Sequence, residues 1–376
     1  MKISRLVIIL LLTISCNNTV TVKLENPNYL NISDSIKIKL DSLTFSNSYN
    51  IQLQDSVLMI KNEVINSLTF LDFRGHVLAY HDFSEMKEKL HKFNIDGAWF
   101  TSLDSIYVFT SKYKMIYLFN NKEVCIDSLS TTNDSIKIKI QLLPNIYIST
   151  IQQPYVYEKS IYTTGFSFGE GKEIADSNRF VVRELKKGTS DYFVNYPLDY
   201  ANIDWGGIYY RMAYSCIAND SLMYISFPAS DFIAILNLNT KKVKYQNLYP
   251  QINKLLKPFH GDLIISAKDK FKRAKHYYGQ YSFKGIIYDK YRKVFHRFLI
   301  LPTEDKNIER KRLGIQRKYL LTYDHNFNYL GFTELNESVS SSTFFVTKKG
   351  LLKKNESYQN DEDNLYFYLY SHRNDN

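Results

Sequence analysis

Short apolar or aromatic runs, each separated from a partner run by a few turn-forming residues, recur along most of the 376-residue chain. Residues 106–110 lead through Ser111-Lys112-Tyr113-Lys114 to 115–120, and 223–227 lead through Pro228-Ala229-Ser230-Asp231 to 232–238. The same pattern joins 284–289 to 294–301 across Lys290-Tyr291-Arg292-Lys293, and 318–323 to 329–335 across 324–328. Looser copies pair 68–73 with 76–80 and 155–157 with 160–165, and two copies contain the turn-forming pairs Asp104-Ser105 and Asp220-Ser221. Each unit has the signature of a β-hairpin. Hairpins in series without long intervening helices predict an all-β chain, and their recurrence predicts radial repetition: a β-propeller of four-stranded antiparallel blades. The run 365–370, Leu-Tyr-Phe-Tyr-Leu-Tyr, reads as a late strand that closes the ring on an early one such as 57–60. At about 60 residues per blade six blades fit best, with seven shorter ones as the alternative.

Helical periodicity is rare. Asp82-Phe83-Ser84-Glu85 has the form of a capping box ahead of Met86, Leu90 and Phe93, which predicts a short helix decorating a loop. The charged stretch 307–317, broken by Gly314, reads as an exposed loop with a turn or two of helix.

Before the first hairpin, Lys2 and Arg5 lead into the apolar run 6–12, which is about half of what a membrane-spanning helix needs and so reads as a cleaved export signal. Thr13-Ile14-Ser15-Cys16 resembles the lipobox of bacterial lipoproteins, with Thr13 where Leu is common, a relaxed form similar to those of Bacteroidota. Cys16 is therefore the expected lipidation site. The expected domains are a signal peptide over 1–15, a tether over 16–31 and a single propeller over 32–376. Cleavage leaves 361 residues, enough for one large β domain.

Composition supports order. The chain has 31 Tyr and 24 Phe but only 14 Gly and 8 Pro, and aromatic and β-branched residues suit a pleated, half-buried surface. The formal charge of +10 falls to +8 without Lys2 and Arg5, a surplus suited to anionic surfaces or acidic glycans. Export argues against nucleic acid as a partner. Basic residues scatter except for Lys268, Lys270, Lys272, Arg273, Lys275 and His276. Cys125 and Cys216 read as free thiols, Cys216 as a small buried hydrophobe.

The search for catalytic chemistry returns little. Gly165-Phe166-Ser167-Phe168-Gly169 fits a hydrolase nucleophile elbow, but the charged residues 170–179 lack the apolar helical face that elbow requires, so it reads as a glycine-containing turn. The acidic run 360–364 lacks the glycine and spacing of a calcium loop and reads as a solvated turn. The eight histidines are dispersed, and no metal site, cofactor site or catalytic residue is assigned.

With its leader, length, hairpin series and the segment 285–298, the chain resembles a family of TolB-like, six-bladed β-propeller lipoproteins of Bacteroidota with a domain of unknown function. The resemblance implies a cell-envelope protein without implying an activity. Asn17 to Lys23 lacks an acidic cluster after Cys16, which favours the periplasmic side of the outer membrane over the cell surface. The expected function is a lipid-anchored binding or scaffolding module for an envelope protein or glycan, the alternative being a glycan-processing hydrolase or lyase with its site in the central channel. Loops at the channel mouth are the natural binding place. Candidate anchors are Trp205, Tyr209, Tyr210 and Arg211 in one segment, with Trp205 as an exposed loop aromatic, and Tyr288, Arg292, His296 and Arg297 in another.

Overall fold

The structure, a computed structural model, describes residues 22–372 apart from 90–92, 113, 132–143, 167–179, 202, 204, 207, 220, 260–269, 305–306, 308–315, 336–342 and 359. Strand β1 (Leu30–Lys39) belongs to the last blade, and the others follow in chain order. Blade 1 is β2 (Ile51–Gln54), β3 (Val57–Asn62), β4 (Ser67–Leu71) and β5 (Val77–Asp82). Blade 2 is β6 (Gly97–Ser102), β7 (Ser105–Thr110), β8 (Met115–Phe119) and β9 (Cys125–Ser130). Blade 3 has a divided inner strand, β10 (Asn145–Ile146) and β11 (Tyr155–Tyr157), both paired with β12 (Ser160–Phe166), followed by β13 (Phe180–Lys186) and β14 (Thr189–Asn195). Blade 4 is β15 (Tyr214–Ala218), β16 (Leu222–Ser226), β17 (Phe232–Asn237) and β18 (Val243–Asn247). Blade 5 is β19 (Ser282–Asp289), β20 (Val294–Ile300), β21 (Lys318–Tyr323) and β22 (Tyr329–Leu335). Blade 6 is β23 (Phe344–Thr347), β24 (Gly350–Lys354) and β25 (Asn364–His372), with β1 as its outer strand.

The expected six-bladed propeller of four-stranded antiparallel sheets is thus the fold. Its core is divided among the blade junctions: six buried apolar clusters each lie between two adjacent blades, including the pair formed by blades 6 and 1. Middle strands are covered on both faces by neighbouring blades, so β4, β12 and β20 are buried at every position. Outer strands face solvent, and β9 is exposed at all but one position. This radial gradient explains why a middle strand is part of every hairpin that stands out in the sequence.

The ring closes through β1, which pairs with β25 from Leu30 opposite His372 to Lys39 opposite Asn364. The expected partner, 57–60, is instead the second strand of blade 1. Exposure of most of β1 gives it the polar character of a tether, and the propeller accordingly takes in Leu30 and Asn31. The chain joins it even earlier: Tyr249 and Tyr329 hydroxyls donate to the carbonyls of Lys23 and Glu25, and the Phe332 N–H donates to Asn26 at 3.0 Å.

The expected helix is α1 (Ser84–Lys89), with the Ser84 N–H donating to Asp82 Oδ1 at 2.8 Å and with Phe83 and Phe93 buried beside it. Of the stretch 307–317, only 307, 316 and 317 are described. Gly165 and Phe166 end β12, and the remainder of the Gly-x-Ser-x-Gly match lies outside the described residues. The acidic run is a turn in which Asp361 accepts the N–H of Asp363, the amide of Asn364 and the hydroxyl of Tyr366.

Candidate functional site

Strand direction alternates within a blade, so the first-to-second and third-to-fourth turns share one face, called here the hairpin face. The second-to-third turns and the connections between blades share the other. Around the axis the inner strands leave a cavity of about 340 Å³. Its wall is mixed, with Leu53, Ile151, Ile217, Ile286, Ile287 and Phe345 as its apolar part beside Gln54, Thr150, Gln153, Ser215, Tyr288 and Lys290.

One end of this channel is stopped by the chain itself. Between β10 and β11, residues 147–154 leave blade 3 and cross the axis, helped by Pro154, which has no N–H for the ladder. The Thr150 N–H donates to Tyr49 O at 3.3 Å, and its Oγ1 accepts the Ile51 N–H at 2.9 Å, tying the segment to blade 1. Gln152 Nε2 donates to Thr164 O at 3.0 Å and to Ala213 O, before blade 4, at 2.9 Å. Glycines make room for it: a Cβ on Gly97 of blade 2 would stand 2.5 Å from Ile148 Cβ, and one on Gly285 of blade 5 would touch Ile151. Because the contacts at Ile51, Gly97 and Ala213 lie at the starts of the inner strands of blades 1, 2 and 4, the channel is a well that opens on the hairpin face.

The mouth is formed by the turns of blades 5, 6 and 1. Asp289 shapes the first of them by accepting the N–H groups of Tyr291 and Arg292 at 2.9 and 3.0 Å. Arg292 then latches blade 5 to blade 6, pairing with Asp289 at 3.0 Å and donating to the carbonyls of Thr347 and Lys348 at 3.2 and 3.0 Å. Past Asp55 and Tyr291, which border both spaces, a second cavity of about 430 Å³ runs between blades 6 and 1. Ile36, Phe73, Leu352 and Leu369 are its apolar lining, and Lys348 and Lys349 stand at its rim.

The expected anchor residues fall into three places. Trp205, expected as an exposed loop aromatic, is buried at 6% exposure in the cluster between blades 3 and 4, where it packs with Tyr200 and Tyr210. Tyr210 and Arg211 are buried too, while Tyr209 is half exposed and stacked on Tyr277. All four lie on the connection between blades 3 and 4, on the face where the channel is stopped. Arg297 is fully buried between blades 4 and 5 and donates to Ser226 Oγ and to the carbonyls of Phe227 and Ser230 at 2.8, 3.1 and 2.8 Å. Its guanidinium lies 3.5 Å from the centre of the Phe283 ring, and burial pulls its pKa down to about 10, so it stays charged at neutral pH. His296 is buried against Thr322. Only Tyr288 and Arg292 reach the channel and its mouth. Sequence reasoning missed Asp55, Lys290, Tyr291, Lys348 and Lys349; Asp55-Ser56 sits at a turn as Asp104-Ser105 does, but Asp-Ser occurs eight times in the chain and does not single out this position.

Chemically, the well offers hydroxyl, amide and apolar groups. Asp55 is the one carboxylate among its described lining residues, so the carboxylate pair or histidine trio that a channel enzyme calls for is not assembled there. Among the described residues no group of three or more His, Cys, Asp or Glu side chains is placed to hold a metal ion. Cys216 and Cys125 are free, as expected, and burial pushes the Cys216 thiol up, leaving it neutral. The buried carboxylate of Glu184 lies elsewhere, at the junction of blades 3 and 4, where it accepts the Tyr162 hydroxyl at 2.5 Å and Lys241 Nζ at 3.1 Å.

Fold and site together define a six-bladed β-propeller with a stopped axial channel and a lysine-rimmed mouth. A family model for a domain of unknown function, DUF4221, matches residues 29–334, and the chain belongs to that family. A DUF4221 member from Bacteroides vulgatus has a similar structure, with a TM-score of 0.70 and 15% identity over 91% of this chain and 97% of that one. A protein of Bacteroides fragilis described as exported superposes with a TM-score of 0.52 and 8% identity over 94% and 98% of the two chains. At these identities the likeness concerns the fold alone. No curated protein matches the sequence. Among the described residues no helix is long and apolar enough to cross a membrane.

Proposed function

We propose that this DUF4221 protein is a binding module of the cell envelope, held at the outer membrane by lipid on Cys16, that takes up part of an envelope protein or glycan at the channel mouth. The observation that carries the reading is the well itself, walled by apolar side chains interleaved with hydroxyl and amide groups, stopped at one end and bordered by lysine-bearing turns at the other. Concave sites that combine apolar walls with placed polar groups are the usual form of ligand pockets. Export of a similarly folded protein and the signal-like sequence before Cys16 support the location.

Two measurements test it. Cys16→Ser is expected to move the protein out of the membrane fraction and to remove the mass of the acyl modification; an unchanged N-terminal mass would sink the lipid anchor. A photo-crosslinking residue at Gln54 is expected to capture one defined envelope component, whereas the same residue at exposed Val64, away from the mouth, is not. Identical adducts from both positions, or none from either, would refute a binding mouth.

A further inference from the structure

We infer that the groove between blades 6 and 1 binds an anionic amphiphile: an apolar chain on the groove floor with a carboxylate or phosphate at its lysine rim. The inference rests on the reading of the mouth as the ligand face and adds, in the groove beside the axial well, a lipid-like ligand distinct from the protein or glycan proposed for the well.

The floor comes from four different strands or turns, Ile36 of β1, Leu352 of β24, Leu369 of β25 and Phe73 of the outer turn of blade 1. Leu352 and Leu369 belong to the cluster that joins blades 6 and 1, and Ile36 and Phe73 pack against it. The groove is thus an open extension of a junction core, and its volume of about 430 Å³ lies within the range of small-molecule pockets. Such a floor suits hydrocarbon better than a hydroxyl-rich sugar, whose polar groups would lose water without gaining partners.

Charge selects the other end. Lysines 290, 348 and 349 stand on the lining of the two connected spaces against the single carboxylate of Asp55. The Arg292 guanidinium is engaged with Asp289 and two carbonyls. Lys348 and Lys349 are exposed and form no ion pair among the described residues, so their ammonium groups are available to an incoming anion. Asp55 borders the groove from the channel side and opposes that anion.

The test uses purified Cys16→Ser protein, which carries no attached acyl chain, and the fluorescent C18 carboxylate cis-parinaric acid. Dodecyl phosphate is expected to displace the probe, dodecanol to do so at least tenfold more weakly, and inorganic phosphate not at all. The double variant K348E/K349E should weaken probe binding more than tenfold and Asp55→Asn should strengthen it a few-fold; Ser56→Trp, at an exposed wall position, should block it. Equal displacement by dodecanol and dodecyl phosphate, displacement by inorganic phosphate, indifference to charge reversal, or failure of the probe to bind would each overturn the inference. Crosslinking from Gln54 separates the two readings: a defined adduct alongside failed amphiphile binding removes this inference and leaves the binding mouth standing.

Discussion

Arg297 is a charge placed where water cannot reach it, and its role follows from its partners. The carbonyls of Phe227 and Ser230 belong to the turn of blade 4, while Arg297 belongs to β20 of blade 5, so one guanidinium ties the two blades together. Replacing it with Met keeps most of the packing volume but leaves buried carbonyls unpaired, at a cost of about 3 kcal/mol. Arg297→Met is therefore expected to lower the urea midpoint strongly, and Arg297→Lys to recover only part of the loss because an ammonium cannot span the same acceptors. Two buried histidines add a pH dependence. Burial lowers the pKa of His296 to about 4 and also lowers that of His81, although Glu123 beside His81 opposes the shift. The folded state therefore favours neutral rings, so the stability they contribute is full above about pH 6.5 and is lost as pH falls toward 4. His296→Gln, which keeps a hydrogen-bonding group beside Thr322, should flatten the fall in unfolding free energy between pH 6.5 and 4; an unchanged slope would count against a neutral buried imidazole. These residues also mark where sequence reading stops. Arg297, Trp205 and Tyr288 look alike as candidate anchors in the linear chain. A junction buries the first two and a channel wall presents the third.

At the scale of elements, the hairpins were legible because each includes at least one middle strand, which neighbouring blades cover on both faces and which therefore carries a dense apolar run. The pairs read at 106–120, 223–238, 284–301 and 318–335 all became second-and-third, first-and-second or third-and-fourth strands of blades. The channel stop was not legible. β10 is two residues long, and the crossing segment is defined by what it meets on four other blades rather than by any local pattern. Gly97 tests its placement. Val at this position would drive a side chain into Ile148, at a cost of about 1–3 kcal/mol for overpacking. Gly97→Val should lower the melting temperature and selectively speed amide hydrogen exchange over residues 148–152, while Gly188→Ala, whose Cβ meets nothing within 4 Å but whose φ of +78° strains an L side chain, should lower the melting temperature without singling out that segment.

For the whole molecule, ring closure is the decisive interaction. β1 covers one edge of β25 along nearly its entire length, and Ile38 and Leu30 plug the junction cores on the two sides of blade 6. Removing residues 1–39 would expose that edge and both cores, and unpaired apolar edges promote aggregation. A protein starting at residue 22 is expected to melt as the full chain does, whereas one starting at residue 40 is expected to be aggregated or unfolded by size-exclusion chromatography and circular dichroism. A folded monomer starting at residue 40 would show that the ring does not depend on its terminal strand.

The sequence by itself determined an all-β chain, its hairpin units and a count near six, because side-chain period, turn residues and composition act over a few neighbouring positions. Tertiary structure alone decided which strand closes the ring, which aromatics and arginines are buried, where the channel is stopped and which turns make its mouth. Those features depend on residues tens to hundreds of positions apart meeting across blade junctions, where packing and desolvation rather than local propensity select the outcome.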